Sequence, residues 1–369
     1  FVAPPLRIIT TTRAAQLLLA ALALAAGVSS PGPKHSPASR PGRLTVMSKV
    51  IEEELEPGFR ATYRIDKILH SGESKFQTVD VVDLQPFGRC LLIDGLVQSA
   101  QVDEFVYHEC LVHPAMLLHP NPKRVYIGGG GEGSTAREVL RHRSVEKCVM
   151  VDIDADVVNF CKAHLPENEA AFADTRLDLV IDDAKAVLEQ APDGSFDVII
   201  MDLDDPLEGG PCYQLYTTEF YSMAKKKLAP GGLIVTQSGQ AGIKLHRVVF
   251  TPIHRTLAAV FPKVVGYNQA VYSFCDEWGW NLAFTDPPAT AEQMSPDEVD
   301  RKISERITGE LRFLDGVSYQ GIFALSKVHR QSLKDETTVM SVARGNFKFM
   351  NNQGLCVAEK AASANGKAK

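Results

Sequence analysis

This chain of 369 residues lacks the close cysteine pairs that bind zinc or exchange disulfides. Its seven cysteines, at 90, 110, 148, 161, 212, 275 and 356, are odd in number and widely spread, with no CxxC spacing. They read as reduced thiols of an intracellular protein. Also missing are HExxH, the GxxxxGK[ST] phosphate loop and the GxSxG nucleophile turn; zinc-protease, phosphate-loop and serine-hydrolase chemistry have no footing. His108, His113 and His119 stand five and six apart. On a helix that spacing puts no metal site on one face, and no metal is expected.

Long apolar runs are scarce too. Ala14 to Ala26 (AAQLLLAALALAA) has only 13 residues, short for a bilayer, and no other stretch is long enough, so no membrane partner is expected. The run follows Arg7 and Arg13 in a segment free of acids. It fits a signal h-region or an organelle transit segment; with the first methionine at Met47, it also fits translated upstream sequence. The expected location is the cytoplasm, or a plastid or other organelle if residues 1–46 are a transit segment. Residues 1–51 carry six Lys or Arg and no acid, leaving 33 basic and 45 acidic residues in the other 318. That balance speaks against nucleic acid as the partner and suits a cationic substrate, although solubility alone would explain it as well.

Four segments follow from the pattern: a leader at 1–50, a small N-terminal β domain with a linking helix at 51–118, a larger domain at 119–338 and a disordered tail at 339–369. Phe76–Asp83 and Arg89–Ile93 are β-rich runs around the turn signal QPFG, and 104–118 has the spacing of an amphipathic helix. From Lys123 on, strands at 124–127, 147–151, 177–181, 196–201 and 233–236 alternate with helices near 134–142, 154–164, 184–190, 217–228 and 244–260. Such alternation predicts an α/β fold, a doubly wound parallel sheet of the Rossmann-like, methyltransferase type, with ligands at the carboxyl ends of the strands.

The residues at those strand ends carry the chemistry. The first strand runs into Gly128-Gly129-Gly130-Gly131-Glu132-Gly133-Ser134. Gly128, Gly130 and Gly133 fit a dinucleotide loop, while Gly129, Gly131 and Gly133 fit an adenosyl sulfonium. Glu132 would repel a pyrophosphate and attract an ammonium or sulfonium. It would also disfavour a donor that carries its own carboxylate, and so suits decarboxylated S-adenosylmethionine. Asp152 ends the second strand, where an acid takes ribose hydroxyls; Asp182-Asp183 follows the third, where an acid can take an adenine amine. Helix N-caps are the plain alternative for both. The fourth strand ends in Met201-Asp202-Leu203-Asp204-Asp205-Pro206. Crowded carboxylates invite a cation. A polyamine amine, with a pKa near ~10, must lose a proton before it can attack carbon. Asp202 is the expected base and Asp205 the expected anchor; a solvated acidic turn is the alternative. Residues 209–216 (GGPCYQLY) make a loop able to cover the site. Tyr272, Trp278 and Trp280 are candidates for packing on polyamine methylenes, or simply core.

The chain resembles the spermidine/spermine synthase family in LLIDGLVQSAQVDEFVYHE (91–109), VYIGGGGEGSTAREVLRH (125–142), VDIDADVV (151–158) and MDLDDPLEGGPCYQLYT (201–217), over roughly residues 55–335. The last segment, with SFCDEWGW (273–280), is most similar to the thermospermine-forming branch. The resemblance implies a catalytic aspartate at Asp202, a polyamine-holding acid at Asp205, an aminopropyl contact at Glu132, a ribose acid at Asp152 and an adenine-side acid at Asp183. It also puts Gln77, Gln98 and Tyr107 at positions lining the donor and polyamine sites. His108 stands where spermidine synthases commonly have Gln, Ala184 and Ser134 where they have Gly. The His108 change bears on the polyamine pocket, so putrescine is the less expected acceptor.

The expected enzyme thus moves the aminopropyl group of decarboxylated S-adenosylmethionine, a co-substrate and not a bound cofactor, to spermidine, giving thermospermine and methylthioadenosine. Asp202 is catalytic; Asp205, Tyr107, His108, Gln98 and Tyr272 bind the polyamine; Gln77, Gly129, Gly131, Glu132, Gly133, Asp152 and Asp183 bind the donor. A homo-oligomer, dimer or tetramer, is expected. Spermidine or spermine synthesis uses the same machinery. An S-adenosylmethionine methyltransferase and a non-catalytic polyamine-binding protein are remoter alternatives.

Overall fold

Alternating apolar residues in the first third of the chain build one sheet, and short β-branched runs further on build a second. The computed structural model describes residues 49–56, 58–206, 212–286 and 294–343. The leader up to Ser48, including Ala14–Ala26, lies outside the described residues, as do Gly209–Pro211, Cys356 and everything after Ala343.

Strands β1 (Val50–Glu56), β2 (Phe59–Glu73), β3 (Thr78–Leu84), β4 (Gly88–Ile93) and β5 (Leu96–Ala100) pair in sequence order as an antiparallel sheet. Inward residues Val82, Leu84, Cys90, Leu92 and Val97 close a small core with Tyr63 and Phe87. Helix α1 (Glu104–Leu118) leads to the second sheet. Its amphipathic reading needs correction, since 12 of its 15 residues are buried. Sheet covers one side of it and later helices the other, so its polar residues Glu104, His108, Glu109 and His113 must find partners inside.

The second sheet begins with β6 (Arg124–Gly129), α2 (Ser134–Leu140), β7 (Lys147–Asp152), α3 (Ala155–His164), α4 (Glu169–Phe172), β8 (Leu177–Ile181), α5 (Ala184–Gln190) and β9 (Phe196–Asp202). It continues with α6 (Thr218–Lys227), β10 (Leu228–Gln240), α7 (Phe250–Ala258), β11 (Lys263–Val271) and β12 (Asp276–Phe284). Helices α8 (Pro296–Arg306), α9 (Gly316–Phe323) and α10 (Lys327–Asp335) follow. The strand order is β11-β12-β10-β9-β6-β7-β8. Neighbouring residues on a strand feed opposite cores: Val125, Ile127, Val198 and Ile200 pack on one face, Tyr126, Ile199 and Met201 on the other. The doubly wound Rossmann-like sheet is therefore present. It is mixed rather than wholly parallel, because β12 runs antiparallel to both β10 and β11. The sequence alternation missed this hairpin, which has only a single 3-10 turn (Tyr272–Phe274) and no α-helix between its strands. The helix expected at 244–260 starts later, at Phe250, where Pro252 falls in its first turn and needs no amide donor. Of the expected tail, residues 339–343 are described, and Met340 among them is fully buried, its carbonyl accepting from Thr218 N at 3.0 Å.

Candidate active site

The carboxyl ends of β6, β7 and β9 meet the inner side of the five-stranded sheet around a cavity of about 360 Å³. In-register pairing sets Gly129 beside Asp202, and Gly130 N donates to the Asp202 carbonyl at 3.1 Å. Gly129 has φ 82, and a Cβ there would collide with that carbonyl oxygen; only glycine lets the loop pass so close to β9.

One end of the cavity is built from acids that backbone amides hold. Asp152 Oδ2 accepts from Gly131 N at 2.9 Å and Oδ1 from Asp154 N at 2.8 Å. Burial raises its pKa, with repulsion from Asp154 and Asp202 adding to it, while the two amides pull the other way. Asp154 caps α3, and its Oδ2 accepts from Gln77 Nε2 at 3.1 Å, which seats Gln77 at the cavity wall. Asp183 caps α5 through Lys185 N and Ala186 N at 2.7 and 3.0 Å. The capping alternative is therefore real for this residue, which also borders the cavity.

Glu132 sits between the ends. Ser99 Oγ donates to its Oε1 at 3.0 Å, and so does the Ser134 hydroxyl. Burial raises its pKa, opposed by His108 and those two hydroxyls. His108 is buried, which disfavours its charged form, but Glu132 and Glu104 outweigh that and push it up to about 9. Its Nδ1 lies 2.7 Å from the Glu104 carbonyl and 3.0 Å from Glu104 Oε2; Arg137 Nη2 donates to that same Oε2 at 2.7 Å. Glu104, His108 and Glu132 have ligand atoms all within 4.8 Å of one another, the one such group among the described residues. Arg137 and the hydroxyls already occupy the carboxylates that a metal would need.

The other end holds the Asp202–Asp205 turn. Tyr107 OH donates to Asp202 Oδ1 at 2.8 Å and Thr135 Oγ1 to Oδ2 at 2.6 Å. Burial, reinforced by Asp202, keeps the Tyr107 phenol protonated. Burial pushes Asp205 up to about 6, opposed by Gln237 Nε2, 3.3 Å from its Oδ1. Asp204 is likewise pushed up to about 6, by burial and then by Asp205, Asp152, Asp202 and Asp94. Trp278 and Phe274, with ring centres 4.7 Å apart, form an apolar wall beside them, and Trp278 Nε1 donates to Gln237 Oε1 at 3.2 Å. The arrangement offers an acidic, partly apolar trough in which a cation can lose a proton to Asp202.

Residues 104–293 match the family model described as spermine/spermidine synthase domain, and 49–109 match the spermidine synthase tetramerisation domain. The chain belongs to the spermine/spermidine synthase family. Membership makes it an enzyme, a polyamine aminopropyltransferase, as expected from its sequence. It is 48% identical over 305 residues to thermospermine synthase ACAULIS5 of Arabidopsis thaliana, covering 82% of this chain and 88% of that one. It is 42% identical over 290 residues to a polyamine aminopropyltransferase of Aeropyrum pernix, covering 77% and 90%. Among solved structures, a spermidine synthase in complex with the transition state analogue AdoDATO superposes with a TM-score of 0.71 at 27% identity, covering 81% of this chain and 99% of that one.

Within this family member, Gln77, Gln98, Tyr107, His108, Gly129, Gly131, Glu132, Asp152, Asp183, Asp202 and Asp205 all line the one cavity. Two expected site residues do not. Gly133 lies off the cavity as the N-cap of α2, with φ 97, and a Cβ there would meet the Phe172 ring at 2.6 Å. Tyr272 is 70% exposed and packs edge-to-face on Phe87. The short turn after β11 points Tyr272 outward and Phe274 inward, so Phe274 takes the place expected of Tyr272. Trp278 reaches the cavity, while Trp280 is core, stacked on Tyr267. Of the 209–216 loop, Cys212 and Leu215 border the cavity. Gln237, Thr135, Ser99 and Glu104 went unremarked. Gln237, near the end of β10, obeys the same strand-end rule that found the acids; the others contact acids rather than announce themselves.

Among the described residues, no helix is long and apolar enough to cross a membrane.

Proposed function

We propose that this enzyme transfers the aminopropyl group of decarboxylated S-adenosylmethionine to spermidine, giving thermospermine and methylthioadenosine. The observation that carries the reading is the single cavity that joins Glu132 and the glycine loop to Asp202, Asp204 and Asp205. Gln77, Asp152 and Asp183, with Gly129 and Gly131, hold the adenosine, and Glu132 faces the aminopropyl ammonium. Asp205 anchors the polyamine, whose chain runs along Phe274 and Trp278 past Gln98, Tyr107 and His108. Asp202 accepts a proton from the attacking ammonium. The freed lone pair forms the new N–C bond while the C–S bond breaks, its electron pair neutralising the sulfonium. Positioning and one proton acceptor supply the catalysis.

The thermospermine product is supported by the DLDDPLEGGPCYQLY segment and by the similarity to the Arabidopsis enzyme, which bears that name. A homo-oligomer, dimer or tetramer, assembled through the five-stranded sheet, is supported by the match of residues 49–109. The test is product analysis with the decarboxylated donor and putrescine, spermidine or spermine, using chromatography that separates thermospermine from spermine. Thermospermine from spermidine is expected; spermidine from putrescine as the main product would replace this reading with spermidine synthesis.

A further inference from the structure

Thr135 is the second residue of α2 and is fully buried. At the second position of a helix there is no preceding turn whose carbonyl could take a threonine hydroxyl. Here the hydroxyl turns out of its helix and crosses to the end of β9, donating to Asp202 Oδ2 at 2.6 Å. Tyr107 from α1 donates to the other oxygen at 2.8 Å. Each carboxylate oxygen therefore has one donor, from two different helices, and rotation of the group breaks both bonds. The backbone is tied on the same side, through Gly130 N and the Asp202 carbonyl. Thr135 stands two residues beyond Gly133, where the glycine loop ends.

We infer that Thr135 is a positioning residue: its hydroxyl fixes the Asp202 carboxylate to the glycine loop, so that proton acceptor and donor seat stay in register before either substrate arrives. The inference rests on Asp202 being the proton acceptor. It differs from a packing role because an isosteric side chain would serve packing equally well. A misplacement of about 1 Å in such a site costs on the order of 10²-fold in rate.

The experiment measures kcat and the KM of each substrate for the full chain, with decarboxylated S-adenosylmethionine and spermidine. Thr135→Val is expected to lower kcat by about 10–100-fold and to hold the spermidine KM within about threefold. Thr135→Ser, which restores the hydroxyl, is expected to recover kcat to within about threefold. Thr135→Ala removes the hydroxyl without setting a methyl against the carboxylate and carries the same expectation should the valine variant fail to fold. Wild-type kcat in the folded Val or Ala variant would overturn the inference. Asp202→Asn in the same assay separates the two claims. A fall of about 10²–10⁴ in kcat beside an unaffected Thr135→Val sinks the positioning role alone. Turnover of Asp202→Asn within about threefold of wild type sinks the base assignment and the positioning role with it.

Discussion

The two ends of the cavity hold acids in different ways. Asp152 and Asp183 accept backbone amides, and Asp183 closes the N-terminus of a helix while doing so. Those carboxylates have partners in the empty protein, and folding alone accounts for them. Among the described residues, Asp202 and Asp205 accept only from side chains, and none donates to the carboxylate of Asp204. Burial pushes both Asp204 and Asp205 up to about 6, and repulsion from neighbouring acids adds to it at Asp204. The first end is made of structural acids that a ligand can share; at the second, burial disfavours the charged forms of Asp204 and Asp205, a cost that a bound cation would offset. An acid held by backbone amides says little about a ligand, whereas an uncompensated group of acids in a cavity says a good deal.

The comparison breaks most readily at Asp205. Asp205→Asn removes a charge-assisted contact of the kind worth about 1.5–3 kcal/mol, so the spermidine KM should rise by about 10–100-fold while the donor KM stays near wild type. Steady-state kinetics with each substrate varied in turn checks this, and an equal rise in both would erase the distinction between the ends. The same acids set a pH dependence. With pKa values near 6, Asp204 and Asp205 take up protons as pH falls from 7 to 5, so polyamine binding weakens over that window and releases protons near pH 6. Calorimetry in buffers of different ionisation enthalpy measures that release. For the empty enzyme the sign reverses. Carboxyls whose folded pKa is raised favour the fold below 3.8, their ordinary value, and stability declines as pH climbs through about 6.

A smaller effect sharpens the other end. Asp183→Ala loses a helix cap and should cost about 1 kcal/mol, visible as a drop of a few degrees in Tm. Asp204→Asn, which removes repulsion and no hydrogen bond among the described residues, should leave Tm unchanged or raise it. Matching losses in the two variants would contradict the contrast.

Much of this was readable in the sequence because the fold puts function at strand ends. The strands at 124–127, 147–151 and 196–201 locate Glu132, Asp152 and Asp202 by counting alone. What escaped depended on contacts across the chain. Tyr272 and Phe274 are two residues apart in a turn whose direction no periodicity reveals. Gly133 shares the loop's spacing but faces the Phe172 ring. Thr135 looks like any small helix residue, and its bond to Asp202 spans 67 positions. The β11–β12 hairpin was hidden because it departs from the alternation that revealed the other strands. Helix α1 looked amphipathic because its polar residues are there to pair with one another and with later helices, not with water.

On the proposed reading, this cavity selects cationic reactants through its carboxylates, with Glu132 facing the arm of the donor. The most direct measurement is competitive binding of decarboxylated and ordinary S-adenosylmethionine to the wild-type enzyme and to Glu132→Gln. Wild type is expected to prefer the decarboxylated form by at least about 10-fold, one charged contact, and Glu132→Gln to lose most of that preference. Equal affinity of the wild-type enzyme for the two donors would contradict it.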